Sequence, residues 1–456
     1  MSRPLGEHEL PDESKSGGRR RDRLFERHPW LRHPLSSLGP GLITGVADDD
    51  PSGIATYSQA GAAFGFGLLW TMPLAYPLMS AVQELTARLG RVTGMGLAAN
   101  IRRVFPPFIL QALVLLLLMA NIFNIAADIA AMGEAAELVL GLDRHLMTVL
   151  FVAATLVLQV FVPYHRYVFY LKWLTFSLLA YVAVLFVVHV DWGMTVRETV
   201  LPHLSLDGTA AMMIVGIFGT TISPYLFFWQ ASEEVEDMRG CAPLVETPDK
   251  APAELARIRW DTWSGMLYSD ATSYFIILAT AVTLHPAGIT QIDTAAQAAS
   301  ALRPLAGPFA ETVFALGILG VGMIGVPVLA GSGGYALCEA MGWTWGLERR
   351  AGDARAFYGV IAISVLLAVI LQYLPINPMR ALVWSAVANG MVAVPLLVAL
   401  VVLVTRKSVM GDFVPSRTLI WLTIAAAAVM GIASVATIID AVPRNVIAGR
   451  HIGNIG

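Results

Sequence analysis

Val46-Ala-Asp-Asp-Asp-Pro-Ser-Gly-Ile54 is the stretch that decides the fold of this chain. It lies in an apolar run from about 38 to 66, so three acids and a proline interrupt what otherwise reads as a membrane helix. Acids at bilayer depth are costly and usually mark an ion path or a binding site. Pro51 removes a helical hydrogen bond, and irregular backbone at this depth is tolerated only where it is buried in protein or lines a cavity. We therefore predict a broken helix whose free carbonyl groups and Asp50 hold a cation near the membrane midplane.

The alternative is a chain that leaves the membrane at Ala47 and exposes the acids in a loop. It is disfavoured because the apolar segment before the acids is too short to span a bilayer, which takes about 20 residues. Over the whole chain, 56% of the 456 residues are hydrophobic and only 14% are charged, whereas soluble domains carry about 25% charged residues. The composition thus predicts an all-α polytopic membrane protein.

The apolar pattern predicts eleven spans, at 38–66, 68–88, 106–132, 145–163, 168–190, 209–238, 262–284, 309–340, 356–374, 380–404 and 418–439. The Gly-rich sixth and eighth spans are expected to tilt or break. The predicted organisation is a disordered basic tail at 1–35, a transmembrane domain at 36–440 and a short tail at 441–456. Within the domain, a first repeat covers about 38–190, a second repeat covers about 209–404, and an extra helix lies at 418–439.

The basic residues predict the orientation, because Lys and Arg accumulate in cytoplasmic loops. With the N-terminus inside, most of the 30 Lys and Arg residues are cytoplasmic. Those left on the other side are Arg144, Arg197, Arg303, Arg380, Arg444 and Arg450. The C-terminus then lies outside, and we expect a bacterial-type plasma membrane.

A second interruption lies in the sixth span, Gly216-Ile-Phe-Gly-Thr-Thr-Ile-Ser-Pro-Tyr225. Paired interrupted helices at corresponding positions of two halves are typical of transporters with inverted repeats. The half-helix before each break points its C-terminal, partially negative end at the midplane, which suits a cation. An ordinary proline kink at Pro224, satisfied by neighbouring Ser and Thr, is the alternative.

Several motifs together resemble the Nramp-type divalent metal transporters. They are Leu38-Gly-Pro-Gly-Leu-Ile-Thr-Gly45, Asp50-Pro-Ser-Gly53, Gln59-Ala-Gly-Ala62, Ala87-Arg-Leu-Gly-Arg-Val-Thr-Gly94 and Ala127-Asp-Ile-Ala130. Thr220-Thr-Ile-Ser-Pro-Tyr225 occupies the place of the family's Ala-Thr-Val-Met-Pro-His. The resemblance implies a LeuT-type inverted-repeat fold with helices 1 and 6 broken, and transport of divalent cations by alternating access at a midplane site.

This chain departs from the family pattern at the ligand positions. Gly53 replaces the family's asparagine ligand, Ser223 replaces its methionine and Tyr225 replaces its histidine. Soft sulfur ligands favour transition metals, whereas oxygen ligands favour Mg²⁺, Ca²⁺ and Mn²⁺. Small residues at 53 and 223 leave room for the waters that Mg²⁺ retains. The pattern resembles the magnesium or manganese branch related to Nramp, with Mg²⁺ or Mn²⁺ preferred over Fe²⁺.

The candidate residues fall into two groups. The expected metal site has the Asp50 carboxylate, the Thr220 carbonyl, the Ser223 hydroxyl, the space at Gly53, and Asn389, which lies near where the family has a metal-binding amide. Pathway or coupling candidates are Asp48, Asp49, Asp128, Tyr225, Asp270, Glu233, Glu234 and Asp237. The last three could attract cations or instead pair with neighbouring arginines, and Asp128 and Asp270 could be structural acids. Asn121 and Asn124 are interpreted as hydrogen-bonding residues between helices.

Proton coupling is doubtful, because Asp128 remains but the family's histidine is absent and the acid three positions after Asp128 is replaced by Ala131. An amino-acid or organic-cation carrier of the same fold is the alternative function. No HExxH, Walker or GxSxG motif occurs, so we predict no enzyme activity and no cofactor. The predicted partners are the transported divalent ion and the lipid bilayer, with no nucleic acid and no obligate protein partner.

Overall fold

The computed structural model describes residues 44, 45, 47–162, 171, 174, 176–202, 208–238 and 240–441. All regular secondary structure in these ranges is helical. The α-helices are α1 (Pro51–Phe64), α2 (Thr71–Thr93), α3 (Leu97–Val104), α4 (Pro107–Leu140), α5 (Arg144–Phe161), α6 (Leu179–Val184), α7 (Trp192–Val200), α8 (Gly208–Thr221), α9 (Pro224–Asp237), α10 (Ala251–Thr283), α11 (Ala295–Ala299), α12 (Arg303–Ala306), α13 (Ala310–Met341), α14 (Arg355–Leu371), α15 (Pro378–Thr405), α16 (Lys407–Met410) and α17 (Arg417–Ala441). The all-α prediction is confirmed.

The first predicted break lies at the run of three aspartates. The chain is helical at Ala47 and Asp48, bends at Asp49 and becomes extended at Asp50, which has φ −74° and ψ 173°. A residue before proline is pushed out of the helical region, and proline itself is well tolerated as the first residue of a helix. Pro51 therefore ends one helical segment and starts α1. The break that the sequence predicted is confirmed.

The second break repeats this arrangement. Helix α8 ends at Thr221, Ser223 is extended with φ −73° and ψ 131°, and Pro224 is the first residue of α9. Ser223, like Asp50, is the residue before a proline, so the same steric restriction acts at both places. The predicted sixth span is thus interrupted at Ser223, as expected, while α8 and α9 together still form one candidate membrane span, Gly208–Asp237.

Among the described residues, six helical stretches are long and apolar enough to cross a membrane. A seventh span is obtained if the pair Pro51–Leu68 and Thr71–Thr93, bent by 114°, is taken together. The predicted number of eleven spans remains a prediction. The predicted tail at 1–35 lies outside the described residues, as do 442–456 and much of the predicted span at 168–190.

Several helices differ from the predicted spans in length. Helix α2 continues to Thr93 and α10 begins at Ala251, because charged residues next to an apolar segment continue the helix beyond it. The Gly-rich eighth span forms one unbroken helix, α13, although it contains Pro327. The Pro327 carbonyl accepts a hydrogen bond from Gln159 on α5. Span ends are therefore the least accurate part of the prediction.

Glycines let the broken helices approach their neighbours closely. A Cβ atom at Gly45 would lie 2.3 Å from the Gly265 carbonyl oxygen of α10. A Cβ atom at Gly219 of α8 would lie 2.0 Å from the Ala386 carbonyl oxygen of α15. Small residues allow such backbone contact between membrane helices. Both breaks are thereby held in the centre of the bundle.

Candidate ion-binding site

Asp50 is the centre of the candidate site. Its side chain is buried, and each carboxylate oxygen accepts two hydrogen bonds. Oδ1 accepts from the Gly53 amide at 2.8 Å and the Ser52 hydroxyl at 2.6 Å. Oδ2 accepts from Asn124 Nδ2 at 3.0 Å and from the Tyr225 hydroxyl at 3.3 Å. Asp50 is therefore the N-cap of α1 and also a contact point for α4 and α9.

The Tyr225 hydroxyl joins the second break to the first. It lies 3.3 Å from Asp50 Oδ2 and 3.3 Å from the Ala47 carbonyl oxygen, so its single proton serves two acceptors. Within the second break, the Ser223 hydroxyl donates to the Thr220 carbonyl at 2.5 Å or to the Gly219 carbonyl at 2.8 Å. The two broken helices therefore meet through Asp50 and Tyr225, with the Thr220 carbonyl and Ser223 beside them.

Asp48 and Asp49 turn towards α10. The Ser269 hydroxyl lies 2.6 Å from Asp48 Oδ2 and 3.1 Å from Asp49 Oδ1, and the Ser273 hydroxyl lies 3.2 Å from the same Asp49 oxygen. Asp48 Oδ1 and Asp49 Oδ2 have no hydrogen-bond partner among the described residues. Neighbouring Asp270 is mostly buried, and its Oδ1 lacks a partner in the same part of the chain. Asp48 and Asp49 thus precede Asp50 directly but bond to α10, whereas Asp50 bonds to α4 and α9.

Asp128 and Asn389 are fully buried with unsatisfied polar atoms. Neither oxygen of Asp128 has a hydrogen-bond partner of normal geometry in the described ranges, although the Ser52 amide lies close by. Asn389 on α15 likewise has no described partner for its amide oxygen or nitrogen. Buried polar atoms without partners are rare and call for an explanation, such as an absent ion or water.

The acids at the end of α9 differ in their partners and in their exposure to solvent. Glu234 forms an ion pair with Arg257 at 2.6 Å, so the pairing alternative holds for this residue. Glu233 accepts a hydrogen bond from the Tyr335 hydroxyl at 3.3 Å, while Asp237 is exposed.

An ion-pair group extends from Arg257 to α2. Glu254 contacts Arg257 at 3.3 Å and Arg91 at 3.1 Å. Burial opposes its ionisation, but Arg257 and Arg91 outweigh burial and hold the pKa of Glu254 below its usual value. Glu254 precedes the predicted span at 262–284. The group therefore links the end of α9 to α2 and α10 near the edge of the membrane.

The structure thus brings Asp50, Gly53, Thr220, Ser223 and Tyr225 together. Within the described residues, no three His, Cys, Asp or Glu side chains converge closely enough to hold a metal. A cation at the breaks would therefore have fewer than three such side chains as ligands, and neutral oxygen atoms or water would complete its coordination.

Sequence reasoning missed Ser52, Ser385 and the contact of Asn124 with Asp50. Asn124 lies one helical turn before Asp128 on the same helix face, and this spacing was an available signal.

Comparisons with known proteins show which family and which solved structures this chain is similar to. The family model for Nramp, described as natural resistance-associated macrophage protein-like, matches residues 41–440. The divalent metal cation transporter MntH of Acidiphilium cryptum is 28% identical over 401 residues, covering 86% of this chain and 87% of its own. MntH of Yersinia pestis is 29% identical over 307 residues, covering 65% and 71%.

Two solved structures are similar in fold. The manganese transporter of Eremococcus coleocola matches with a TM-score of 0.69 at 17% identity, covering 94% of this chain and 90% of that one. Mhp1, a nucleobase-cation-symport-1 family transporter, matches with a TM-score of 0.54 at 13% identity, covering 88% and 92%. These matches confirm the predicted LeuT-type fold.

Proposed function

Because this chain belongs to the Nramp family, we propose that it carries divalent metal cations across a membrane. The observation that carries the proposal is the buried Asp50 carboxylate at the first break, in contact with Tyr225 from the second break. A carboxylate where two interrupted helices meet is the arrangement expected of a cation site in a transporter. The curated relatives described above are named as divalent metal cation transporters, which supports the same substrate class.

The proposed ligands are the Asp50 carboxylate, the Thr220 carbonyl, the Ser223 hydroxyl and the Asn389 amide oxygen. The space expected at Gly53 is filled by neighbouring atoms, because a Cβ atom there would lie 3.2 Å from Tyr57 Cε2. All the proposed ligands are oxygen atoms, which favours Mg²⁺ or Mn²⁺ over Fe²⁺. The unsatisfied amide of Asn389 supports its role, because a bound ion or its waters would satisfy that buried group.

The proposed path for the ion continues from this site in two directions. Asp48, Asp49, Asp128 and Asp270 surround the first break, and their unsatisfied oxygens would attract a cation. At the end of α9, Glu233, Glu234 and Asp237 form the other part of the path, although Arg257 balances the charge of Glu234. Transport follows by alternating access, in which the halves of the bundle move around a fixed central site.

Coupling to protons is weak or absent in this proposal. Tyr225 stands next to the second break, and residues 209–238 contain no histidine. Histidine is the side chain whose ordinary pKa lies nearest to neutral pH. Without it, the natural driving force for a cation is an inside-negative membrane potential.

The chain is an integral multi-pass membrane protein. We propose a plasma membrane of bacterial type, a cytoplasmic N-terminus and a non-cytoplasmic C-terminus, on the distribution of Lys and Arg. The tail at 1–35 and the transmembrane domain at 36–440 keep their proposed boundaries. The protein needs no cofactor, nucleic acid or obligate protein partner in this scheme.

An amino-acid or organic-cation carrier is the competing function. A carrier of amino acids needs a half-helix N-terminus open to the substrate carboxylate. Here the Asp50 carboxylate itself caps the N-terminus of α1 through the Gly53 amide. This contact opposes an anionic group at the first break and favours a metal cation.

The test is uptake of Mn²⁺ and Mg²⁺ into proteoliposomes, with internal pH recorded. We expect the wild type to transport and Asp50→Ala to lose at least about tenfold in uptake, the scale of a lost interaction with a charged group. Asp143→Ala is the matched control, because Asp143 also caps a helix through its side chain but lies at the start of α5. Absence of uptake of either ion by folded wild type would contradict the proposal and favour an organic substrate.

A further inference from the structure

Each oxygen of the Asp50 carboxylate accepts from one hydroxyl and one NH group. The hydroxyls are those of Ser52 and Tyr225. The NH groups are the Gly53 backbone amide on Oδ1 and the Asn124 side-chain amide on Oδ2. A carboxylate has about four lone-pair positions, so Asp50 is saturated by these contacts.

A cation that binds Asp50 directly must displace one or more of these donors. A hydroxyl can turn its proton away and offer its own oxygen to the ion or its waters, whereas an NH group has no acceptor to offer. The Tyr225 hydroxyl has a second acceptor ready, the Ala47 carbonyl at 3.3 Å. Gly53 and Asn124 are therefore the contacts that stay with Asp50 when the ion binds, one on each oxygen.

We propose that Asn124 is a positioning residue that holds the Asp50 carboxylate towards the cation, and that Ser385 orients the Asn124 amide for this task. This inference rests on the proposed function. It goes beyond the expectation that Asn124 merely joins helices, because it assigns the residue an effect on ion affinity.

The orientation of the amide follows from its two ends. Asn124 Nδ2 faces Asp50 Oδ2 at 3.0 Å, while its Oδ1 faces the Ser385 hydroxyl at 2.7 Å. The reversed amide would turn its oxygen towards a carboxylate oxygen, an acceptor facing an acceptor. Both Asn124 and Ser385 are fully buried, so neither contact faces bulk solvent. The chain of contacts runs from α15 through α4 to the start of α1.

Asn121 provides a matched control on the same helix. It is a buried amide three residues earlier, and its Nδ2 donates to the Leu329 carbonyl at 2.9 Å and to Ser332 Oγ at 2.8 Å on α13. Asn121→Leu and Asn124→Leu therefore both remove a buried amide between helices, but only Asn124 contacts Asp50. If Asn124 had only a structural role, Asn124→Leu and Asn121→Leu would change the KM of uptake to the same extent.

The experiment measures the KM and maximal rate of Mn²⁺ uptake in proteoliposomes. We expect Asn124→Leu to raise KM about tenfold, the scale of one lost hydrogen bond to a charged group. Asn121→Leu is expected to leave KM within about twofold of wild type, while both variants unfold at lower temperature. Equal KM values for the two variants, with wild type active, would overturn the inference.

Ser385→Ala is the second test, and it also serves if Asn124→Leu does not fold. It leaves the amide in place but removes its orienting hydroxyl, so KM should rise about threefold, less than for the loss of the amide itself. If Ser385 acts only through Asn124, the double variant will have the KM of Asn124→Leu alone. An unchanged KM in Ser385→Ala would contradict the proposed orientation. Failure of the wild type to take up Mn²⁺ or Mg²⁺ would instead contradict the proposed function.

Discussion

Asp50 has little freedom to move, because its four hydrogen bonds come from three different helices. Its backbone is held as firmly, since it precedes Pro51 and caps α1. On its remaining side lies Gly325 of α13, at which an added Cβ atom would approach Asp50 Cβ to 3.1 Å. The glycine in the middle of a long helix therefore leaves room for the site residue. This explains why α13 contains glycine at a position where helix propensity opposes it.

We predict that Gly325→Ala lowers the affinity for the ion. The new methyl group must push Asp50 by a few tenths of an ångström, and a well-packed region with fixed hydrogen bonds cannot yield cheaply. The expected result is a KM for Mn²⁺ uptake raised about threefold to tenfold, corresponding to about 0.7–1.4 kcal/mol. Uptake assays with purified protein in liposomes measure it.

Gly359→Ala on α14 is the control for that variant. A Cβ atom at Gly359 would meet nothing within 4 Å. It should leave KM unchanged and stabilise its helix by about 0.5–1 kcal/mol, since alanine is the better helix former. Wild-type KM in Gly325→Ala would show that Asp50 has more freedom than its contacts imply.

At the level of elements, the breaks could be predicted because their cause is local. Asp50 and Ser223 both precede proline, and this restriction acts whatever the tertiary context. The contact between Asn124 and Asp50 could not be predicted in the same way. The two residues are 74 positions apart, and their meeting depends on how α4 packs beside α1. Only the helix face shared by Asn124 and Asp128 was visible in the sequence.

The partners of the acids at the end of α9 also depend on packing between helices. The sequence predicted that acids at the end of α9 either pair with arginine or remain available for cations. In the structure, Glu234 forms an ion pair with Arg257, while Glu233 accepts a hydrogen bond from the Tyr335 hydroxyl. Residues on one helix turn reach different neighbours because each faces a different helix. A charge pattern on one helix thus identifies a charged end but not the individual partners.

We predict that Pro224→Ala impairs transport through the second break. Without the proline, Ser223 regains access to the helical region, and α8 and α9 can join into one helix. In a joined helix, the backbone amide of residue 224 would donate to the Thr220 carbonyl. That carbonyl would then no longer be available to the ion. Uptake of Mn²⁺ at saturating and subsaturating concentrations should fall about tenfold or more, the scale of a lost ligand to a charged ion.

Pro77→Ala is the control for the break. Pro77 lies inside α2, where the helix continues through it. Replacing it restores a helical hydrogen-bond donor but removes no break, so uptake should remain near that of the wild type. Equal uptake by Pro224→Ala and wild type would mean that the broken geometry persists without proline or does not matter for the ion.

On the scale of the whole molecule, the fold and the orientation follow from different features of the chain. The fold follows from apolar spans and two breaks, and the TM-score of 0.69 to a known transporter supports it independently. The orientation rests on charge alone, because most Lys and Arg residues fall on one side of the predicted spans. A direct test of sidedness therefore examines a property that the fold does not determine.

The two cysteines allow that test without added labels. Cys241, in the connection between α9 and α10, is exposed, whereas Cys338 in α13 is buried. The proposed orientation puts Cys241 on the cytoplasmic side. We predict that a membrane-impermeant maleimide labels the protein in inverted membrane vesicles but not in intact cells. Cys241→Ser should abolish labelling in the inverted vesicles, which identifies the reacting thiol. Labelling of Cys241 from outside intact cells would reverse the orientation, so that Glu233, Glu234 and Asp237 would belong to the external mouth and receive the ion rather than release it.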